Sequence, residues 1–356
     1  MALPGVIVTA VSDPVETSRD WAALTLGPDH EAVAFSDHRS LLESGLVDAV
    51  LVASPNHTHV SVLDDVLSTD IPVMVEKPMC TTVADCLEVR QRAEQRRAIT
   101  WVGLEYRYMP PTQVLLHEVR SGAAGVVHTV FVREHRFPFL PKVGDWNRFS
   151  CNTGGTLVEK CCHFFDLMRL VVDSDPVRVL ASGGQAVNHL DERYEQGVPD
   201  ILDHAYVIVE FANGTRGCLD LCMFAEGGHH EQEIVVTGDT AKIEAFVPSG
   251  DVVVGERAHG VAPRTIGTAT DARVGHVGFH HGASYLELLD FADAVRTGGP
   301  ALVTVDDGLW SVAMGAAAHR SIDEGRPVAL AEFGLSAAGS TRSGRSAGLP
   351  PAPTMP

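Results

Sequence analysis

Short apolar runs alternate with stretches of helical periodicity over the first hundred residues. The apolar runs lie at 6–11, 32–35, 49–53, 72–75 and 99–103. Between them, helical patterns cover about 15–26, a short segment from residue 40, 60–67 and 83–96. Strands that alternate with helices at this spacing are typical of a parallel sheet flanked by helices, so the pattern predicts an α/β region here.

The pattern changes after about residue 125. Residues 126–134 alternate between apolar and polar, as antiparallel strands do, and Asn213-Gly214 is a strong hairpin turn signal. Further strands are predicted at 177–182, 203–211, 216–224, 232–237 and 242–247, and helices at 155–172, 284–297 and 306–324. This region is predicted to be an α+β domain with a large, mostly antiparallel sheet.

The bulk composition describes an ordinary globular protein that is strongly acidic. Of 356 residues, 45% are hydrophobic and 21% charged, and 27 basic against 46 acidic residues give a formal net charge of −19. Such a surface repels nucleic acid and anionic lipid, so neither is an expected partner. No apolar run is long enough to span a membrane, no signal peptide opens the chain, and the seven cysteines form no C-x-x-C pair. We therefore expect a cytoplasmic protein with reduced thiols and no metal site.

Three stretches, taken in order, carry a resemblance to a known family. They are 48–59 with its Pro55-Asn56-x-x-His59, then Glu76-Lys77-Pro78, and 154–166 with two glycines followed by Glu159, His163 and Asp166. The late segment 306–328 resembles the family's closing helix. Together they resemble the Gfo/Idh/MocA oxidoreductases, the relatives of glucose–fructose oxidoreductase and inositol dehydrogenase, over residues 5–330.

The resemblance sets the expected architecture and assembly. It implies an incomplete Rossmann-type dinucleotide-binding domain over residues 1–108 and an α+β substrate and oligomerisation domain over 109–332. Residues 333–356, rich in Gly, Ser, Ala and Pro, are predicted to be a disordered tail. Because the family often assembles through the open face of the second domain's sheet, we expect a homodimer or homotetramer.

Glu159, His163 and Asp166 form a narrow polar stripe on an otherwise apolar predicted helix. Their i, i+4, i+7 spacing puts them on one face. Such a stripe is either a polar seam satisfied by neighbouring strands or part of a catalytic site. The resemblance favours His163 as the general base, with Glu159 orienting it or binding a substrate hydroxyl. Glu159 stands where the family usually has Asp, and Cys161 replaces a small residue, so the pocket is expected to differ in shape.

Lys77 follows a predicted parallel strand, at the end where ligands bind in such sheets. Its ammonium is suited to donate to a substrate oxygen and to stabilise developing negative charge. The alternative from the residues alone is a surface lysine in a turn. Pro78 can fix the aim of the lysine through a cis bond, and Glu76 either holds the turn or lies near the nicotinamide, as in relatives.

The cofactor is predicted from the ends of two other strands. Asp13 is placed to accept hydrogen bonds from the adenine ribose, which favours NAD over NADP because a 2′-phosphate would be repelled. An Asp-Pro turn is the equally open alternative. Ser54, Pro55, Asn56 and His59 are predicted to line the dinucleotide crevice.

The remaining candidates are predicted to contact substrate. Arg107 matches an R-x-x-P junction of the family, and Asp166 completes the polar stripe. Trp146 and Arg148 lie in a loop that precedes the helix and is placed to cover the pocket. The last candidates lie near the start of a late predicted helix: His280, His281 and Tyr285.

No G-x-G-x-x-G fingerprint occurs in the 356 residues. It belongs roughly 20 residues before the ribose-binding acid, yet only twelve residues precede Asp13. We therefore expect a sheet that lacks its central first strand, and a start site annotated about 25–30 residues too late, the length being set by one βαβ unit. A chain that truly begins at Met1 is expected to bind NAD poorly.

The function predicted is hydride transfer between a secondary hydroxyl of a sugar or cyclitol and NAD(P). Two alternatives stay open at this point. One is a lyase or glycosidase that uses bound NAD for a transient oxidation followed by elimination. The other is a non-catalytic binding protein on the same scaffold, against which the presence of Lys77 and His163 argues.

Overall fold

The computed structural model describes residues 3–27, 31–278 and 280–337. The strands are β1 Ala10–Ser12, β2 Val33–Phe35, β3 Val50–Val52, β4 Val73–Glu76, β5 Thr100–Gly103, β6 Val127–His135, β7 Pro176–Gly184, β8 His204–Phe211, β9 Arg216–Cys222, β10 Gln232–Gly238, β11 Ala241–Val247, β12 Asp251–Glu256, β13 Arg264–Thr268 and β14 Val328–Ala329. The helices are α1 Glu16–Leu26, α2 His38–Glu43, α3 His59–Val66, α4 Val83–Ala93, α5 Pro110–Arg120, α6 Ser150–Thr153, α7 Thr156–Glu159, α8 Cys162–Val172, α9 Ala283–Thr297 and α10 Val305–Glu324.

The first hundred residues form the predicted parallel α/β region, divided into two sheets. β1 pairs with β2, and β3, β4 and β5 pair in that order, all in parallel. Among the described residues no strand joins β1 to β3. In the order 3-2-1-4-5-6 that place belongs to the first strand, so the arrangement agrees with the expected sheet in which two strands lack a neighbour.

The second region is built on a nine-stranded mixed sheet in the order β13-β12-β11-β10-β6-β9-β8-β7-β14. The hairpin predicted at Asn213-Gly214 joins β8 to β9, and Gly214 takes the positive φ that this tight turn requires. β6 is antiparallel to β10 but parallel to β9. The alternation of β6 predicts antiparallel pairing, but the parallel partner β9 shows that alternation reports only one buried and one open face.

Helix α10 connects the two regions. It packs against α4, α7 and α8 and against β7. It begins with a capping box in which Thr304 accepts from the backbone of Asp307 and the Asp307 carboxylate accepts in return. A side chain at Gly315 would collide with the carbonyl oxygen of Leu157, so the glycine lets α10 approach the helix that ends at Glu159.

The predicted elements and the observed ones differ in several places. The run 6–11 becomes strand only from Ala10, and Ile7 is 76% exposed. The sequence pattern does not predict β12, β13, β14, α5 or α6. The helix predicted over 155–172 is two helices, α7 and α8, separated at residues 160–161. Of the predicted tail, residues 338–356 lie outside the described residues, whereas Leu335 is buried.

Candidate active site

The loop that leaves β4 presents Lys77 to the end of α7. The Lys77-Pro78 peptide bond is cis. The Nζ of Lys77 lies 3.2 Å from the carbonyl oxygen of Glu159 and 3.5 Å from its Oε1. Burial alone would lower the pKa of Lys77, but the negative charges of its neighbours, Glu159 foremost, outweigh burial and raise it. Lys77 is therefore a fixed cation and hydrogen-bond donor.

His163 lies one turn after Glu159 in sequence, near the start of α8, and is 2% exposed. The ring of Tyr106 stacks on its imidazole with centroids 3.9 Å apart and planes inclined by 8°. Its Nε2 faces Oε1 of Glu105 at 3.9 Å, and among the described residues its Nδ1 has no hydrogen-bond partner. Burial first, and then the charges of Lys77 and Lys160, lower the pKa of His163 well below its ordinary value. His163 is thus neutral at neutral pH and able to accept a proton.

Three buried or half-buried carboxylates lie beside these two residues. Glu105 is in the short turn after β5, Glu76 ends β4, and Glu287 is in α9, where Trp101 donates to its Oε1 at 3.0 Å. Burial, and then repulsion from Glu105, raises the pKa of Glu76 to about 7 and that of Glu287 well above its usual range. We refer to the residues Glu76, Lys77, Glu105, Glu159, His163 and Glu287 as the site cluster.

Lys160 binds the hydroxyl group of Tyr106, whose ring stacks on His163. Its Nζ lies 2.6 Å from the hydroxyl oxygen of Tyr106 and 2.8 Å from Oε1 of Glu134 on β6. All three side chains are buried. The carboxylate of Glu134 outweighs the burial that would otherwise lower the pKa of Lys160, so this pKa is raised and the lysine is a cation. The ring of Tyr106 is therefore anchored at its hydroxyl while its face holds the imidazole of His163.

The loop after β3 packs against the loop after β4 through one histidine. His59 is fully buried, with Nδ1 2.9 Å from the carbonyl oxygen of Pro78 and Nε2 2.9 Å from that of Ser54. Thr58 donates to the Ser54 hydroxyl oxygen at 2.7 Å. Asn56 is 6% exposed and, within the described chain, its Nδ2 is buried without a partner. Pro55 precedes this turn. The two strand ends are thus held together, with one amide donor available.

Asp13 lies at the end of β1, half-buried. Its backbone N–H donates to the carbonyl oxygen of Phe35 on β2, and its Oδ1 accepts from the backbone of Val15 at 2.7 Å. Asp13 can both stabilise the turn and accept hydrogen bonds from an adenine ribose, because a carboxylate accepts more than one hydrogen bond.

Arg107 and Asp166 lie in a second group of buried charges. Two guanidinium nitrogens of Arg107 bind the two oxygens of Asp166 at 2.6 and 2.5 Å, and Arg107 also contacts Asp307 at 3.2 Å. Arg169 pairs with Asp307 at 2.9 Å. We refer to the residues Arg107, Asp166, Arg169, Asp175, Asp306 and Asp307 as the framework cluster. The polar stripe on α8 therefore divides: His163 turns to the site cluster, and Asp166 to the framework cluster.

The other predicted substrate residues lie around the site without a contact to Lys77 or His163 in the described structure. Trp146 packs edge-on near His57, with ring centroids 6.2 Å apart. Arg148 is buried and pairs with Glu192 at 2.9 Å. Tyr285 is buried and lies beside Gly275, while His281 is half-buried. Their roles toward substrate stay predictions.

Several residues of the site were not singled out from the sequence. These are Glu105, Tyr106, Glu134, Lys160 and Glu287. Glu105 could have been found, since it follows β5 just as Lys77 follows β4, and parallel strand ends are where ligands bind. Glu134 and Lys160 carry no such signal, because their pairing joins a strand to a helix start.

Cysteines and metal ligands add nothing further to the site. All seven thiols are free in the structure. Within residues 3–27, 31–278 and 280–337, no group of three or more His, Cys, Asp or Glu side chains has the geometry to hold a metal ion. No helix in the same ranges has both the length and the apolar character needed to cross a membrane.

Comparisons with known proteins agree with this geometry. Residues 4–104 match the model of an oxidoreductase family's NAD-binding Rossmann fold, and residues 117–330 match the C-terminal alpha/beta domain of the same family. Myo-inositol 2-dehydrogenase of Thermotoga maritima is 28% identical over 328 residues, which cover 92% of each chain. Inositol 2-dehydrogenase of Acidothermus cellulolyticus is 30% identical over 262 residues, which cover 72% of this chain and 71% of that one.

Solved structures show the same fold. A probable dehydrogenase from Thermotoga maritima superposes with a TM-score of 0.72 at 27% identity and covers 91% of both chains. Levoglucosan dehydrogenase in complex with NADH gives a TM-score of 0.80 at 19% identity, covering 91% of this chain and 90% of that one. With models of both domains matched over residues 4–104 and 117–330, the chain belongs to the Gfo/Idh/MocA family of NAD-binding oxidoreductases.

Proposed function

We propose that the protein is an NAD-dependent dehydrogenase that oxidises a secondary hydroxyl of a cyclitol or sugar. One observation carries the proposal: the Lys77 ammonium contacts Glu159 at 3.2 and 3.5 Å, and it lies near enough to the buried His163 for its charge to lower the pKa of the imidazole. A fixed cation and an uncharged base at one place are the two groups that oxidation of an alcohol requires.

The roles follow from the charges of the two side chains. Lys77 donates a hydrogen bond to the reacting oxygen and stabilises the negative charge that develops as its proton leaves. His163 accepts that proton on Nδ1, which is buried without a hydrogen-bond partner in the described structure, whereas Nε2 faces Glu105 at 3.9 Å. Glu159 holds Lys77 in place and is available to a second substrate hydroxyl through its Oε2, which is also buried and without a partner there. A bound nicotinamide supplies the hydride acceptor.

The residues at the strand ends fit the nicotinamide half of the cofactor. Glu76 and Pro78 border Lys77, while Ser54, Pro55 and Asn56 lie on the adjacent loop, joined to it by His59. The buried, unpartnered amide of Asn56 supports a polar ligand in this crevice. Asp13 supports NAD over NADP, because its carboxylate would repel a 2′-phosphate. The 356 residues contain no glycine-rich fingerprint for the pyrophosphate.

The substrate class is supported by the relatives and by the donor set. Two of the relatives are named as inositol 2-dehydrogenases. A site that offers one ammonium, one imidazole and several carboxylates matches a polyhydroxylated ring better than an apolar alcohol, since buried polar groups need partners. Arg107 and Asp166 are assigned to the framework, and Trp146, Arg148, His281 and Tyr285 to the surrounding loops.

We also propose that the protein is a homo-oligomer, through the open face of the nine-stranded sheet. Three outward-facing positions on β7 and β8 carry large apolar or aromatic side chains: Leu180, Tyr206 and Ile208 are 44%, 62% and 42% exposed. Adjacent apolar side chains on an exposed sheet face are typical of an interface. Light scattering coupled to size-exclusion chromatography should give a dimer or tetramer mass. A monomer at micromolar concentration would refute this assembly.

The test of the function is reduction of NAD⁺ by the purified full chain, followed through the absorbance of reduced nicotinamide, with myo-inositol, glucose and levoglucosan in parallel. We expect net reduction with at least one polyol. The variant His163→Asn should lower kcat by about 10²–10⁴-fold, the usual contribution of a positioned proton acceptor. Product formed without net reduced nicotinamide would favour a redox-elimination enzyme instead. A fully active Lys77→Ala/His163→Ala variant would favour a binding protein.

A further inference from the structure

A buried base must pass its proton to solvent before the next turnover. His163 is 2% exposed, and its stacked neighbour Tyr106 is also 2% exposed, so one face of the imidazole is sealed by a ring. With Nδ1 assigned to the substrate hydroxyl, the only other nitrogen is Nε2, which faces Oε1 of Glu105 at 3.9 Å. The direction in which the proton can leave is therefore toward Glu105.

Glu105 lies between two imidazoles, one buried and one at the surface. The same Oε1 that faces His163 lies 3.0 Å from Nδ1 of His280. The Glu105 side chain is 5% exposed, whereas that of His280 is 38% exposed. The three groups thus form a line from the interior to solvent, in which Glu105 and His280 are at hydrogen-bond distance and His163 and Glu105 are 3.9 Å apart.

From this geometry we propose that Glu105 and His280 relay the substrate proton from His163 to solvent, an inference that rests on the proposed dehydrogenase function. His163 takes the hydroxyl proton on Nδ1 and gives the proton on Nε2 to Glu105 Oε1. Glu105 passes it to Nδ1 of His280 as the proton on Nε2 of His280 leaves to water, and both imidazoles then return to the tautomer protonated on Nε2 before the next turnover. Each transfer moves one proton and no electrons, since the electron pair of the C–H bond goes to the nicotinamide.

The charges around the line favour movement outward. The cations that face His163 are Lys77 from the β4 loop, Lys160 from the residues between α7 and α8, and Arg136 from the end of β6. They disfavour a protonated His163 and so favour release of its proton. Glu76 and Glu287 face Glu105 from β4 and α9. The gap of 3.9 Å must shorten by about 1 Å, as hydrogen bonds at active sites do when substrate binds.

The experiment compares His280→Ala and His280→Gln in the full-length protein, in a weakly buffered NAD⁺-reduction assay. Glutamine can still hydrogen-bond to Glu105 but cannot carry a proton. We expect both variants to lower kcat by at least about 10-fold, less than the roughly 10²–10⁴-fold due to a group that takes the proton directly. Added imidazole should raise the kcat of His280→Ala in proportion to the imidazole concentration. The solvent deuterium isotope effect on kcat should rise in both variants.

A matched control comes from another histidine–glutamate pair. His259 is 3.1 Å from Glu256, and its side chain is 70% exposed, away from the site. His259→Gln should leave kcat, the imidazole response and the isotope effect unchanged. A readout that does not depend on turnover is the histidine ¹⁵N NMR spectrum of the cofactor-free protein. There, Glu105→Ala should abolish the hydrogen-bonded Nδ1 resonance of His280, and Glu256→Ala should leave it in place.

The outcomes separate the relay from the function on which it rests. An active wild type whose His280→Gln variant keeps full kcat would overturn the relay alone, because a hydrogen-bonding role would then suffice. Failure of imidazole to restore His280→Ala would overturn it as well. If the wild type reduces NAD⁺ with none of the polyols, the dehydrogenase proposal fails and the relay with it.

Discussion

The framework cluster and the site cluster are both buried and charged, and each contains residues of helix α8. They differ in whether their polar atoms have partners within the protein. In the framework cluster the guanidinium groups of Arg107 and Arg169 bind carboxylates at 2.5–3.2 Å. Within the described chain, none of its side-chain nitrogen or oxygen atoms is buried without a partner. Each of its charged groups has an oppositely charged partner, and the cluster joins α8 to the start of α10.

Several buried polar atoms of the site cluster have no hydrogen-bond partner within the described protein. In the same described ranges, Glu159 Oε2, His163 Nδ1 and Glu287 Oε2 are buried without hydrogen-bond partners. Glu76 has a pKa near 7, and the pKa of His163 is pushed well below its ordinary value. Buried groups with displaced pKa values and unused hydrogen-bonding capacity are typical of functional sites. The comparison teaches that satisfaction of charge, rather than its presence, separates the face of α8 for which we propose a catalytic role from its structural face.

The largest expected effect comes from removing one partner of a buried ion pair in the framework cluster. Arg107→Met leaves Asp166 buried without its bidentate partner and should cost about 3–5 kcal/mol in the free energy of unfolding. Denaturant titration measures this loss. The double variant Arg107→Met/Asp166→Leu should recover much of it, because the stranded charge is then also removed. A loss below about 1 kcal/mol in the single variant would show that the pair is not part of the framework.

The next test removes charge from the site cluster. Lys77→Met should lower kcat/KM by about 10²–10³-fold, the usual effect of deleting one donor that stabilises a developing oxyanion. Lys77→Arg keeps the charge and the pairing with Glu159 but changes the position of the donor, so it should keep the thermal midpoint and still lose most activity. Steady-state kinetics with paired thermal melts measures both. Full activity in Lys77→Arg would mean that charge alone, without position, is enough.

The smallest effect concerns Glu76 and depends on pH. Its folded pKa of about 7 lies above the ordinary value of 4.5, so its contribution to stability is complete below pH 4.5 and is lost as pH rises through about 7. Glu76→Gln should therefore gain roughly 1–3 kcal/mol over the wild type at pH 8 and nothing at pH 4.5. Urea titration of the cofactor-free protein at both pH values measures this. An equal change at the two pH values would contradict the raised pKa.

The sequence predicted the local features of the fold and the residues at strand ends. Alternating strand and helix patterns located β1–β5 and their helices, since each depends on periodicity within a few residues. Lys77, Glu159 and His163 were found because a strand-end rule and a helical spacing each apply to a short segment. The break at 160–161 was missed, because nothing in an apolar run shows where a helix is interrupted.

What the sequence could not supply is the pairing of distant charges. Arg107 and Asp166 are 59 residues apart, so neither a substrate role nor a framework role could be decided before their contact was known. Glu105 and His280 lie in different domains of the predicted division. Only the folded chain brings the imidazole of His280 to the carboxylate of Glu105. Pairings of this kind depend on the packing of α8, α9 and the strand ends against one another.

The central claim is that Lys77 and His163 act on one carbinol next to the nicotinamide. Its most direct test uses the polyol that gives turnover, deuterated at its carbinol carbons, with mass spectrometry of the reduced nicotinamide. The wild type should yield nicotinamide that carries one deuterium, and Lys77→Met/His163→Asn should yield none above background. Reduced nicotinamide without deuterium, or equal labelling by the double variant, would contradict the account.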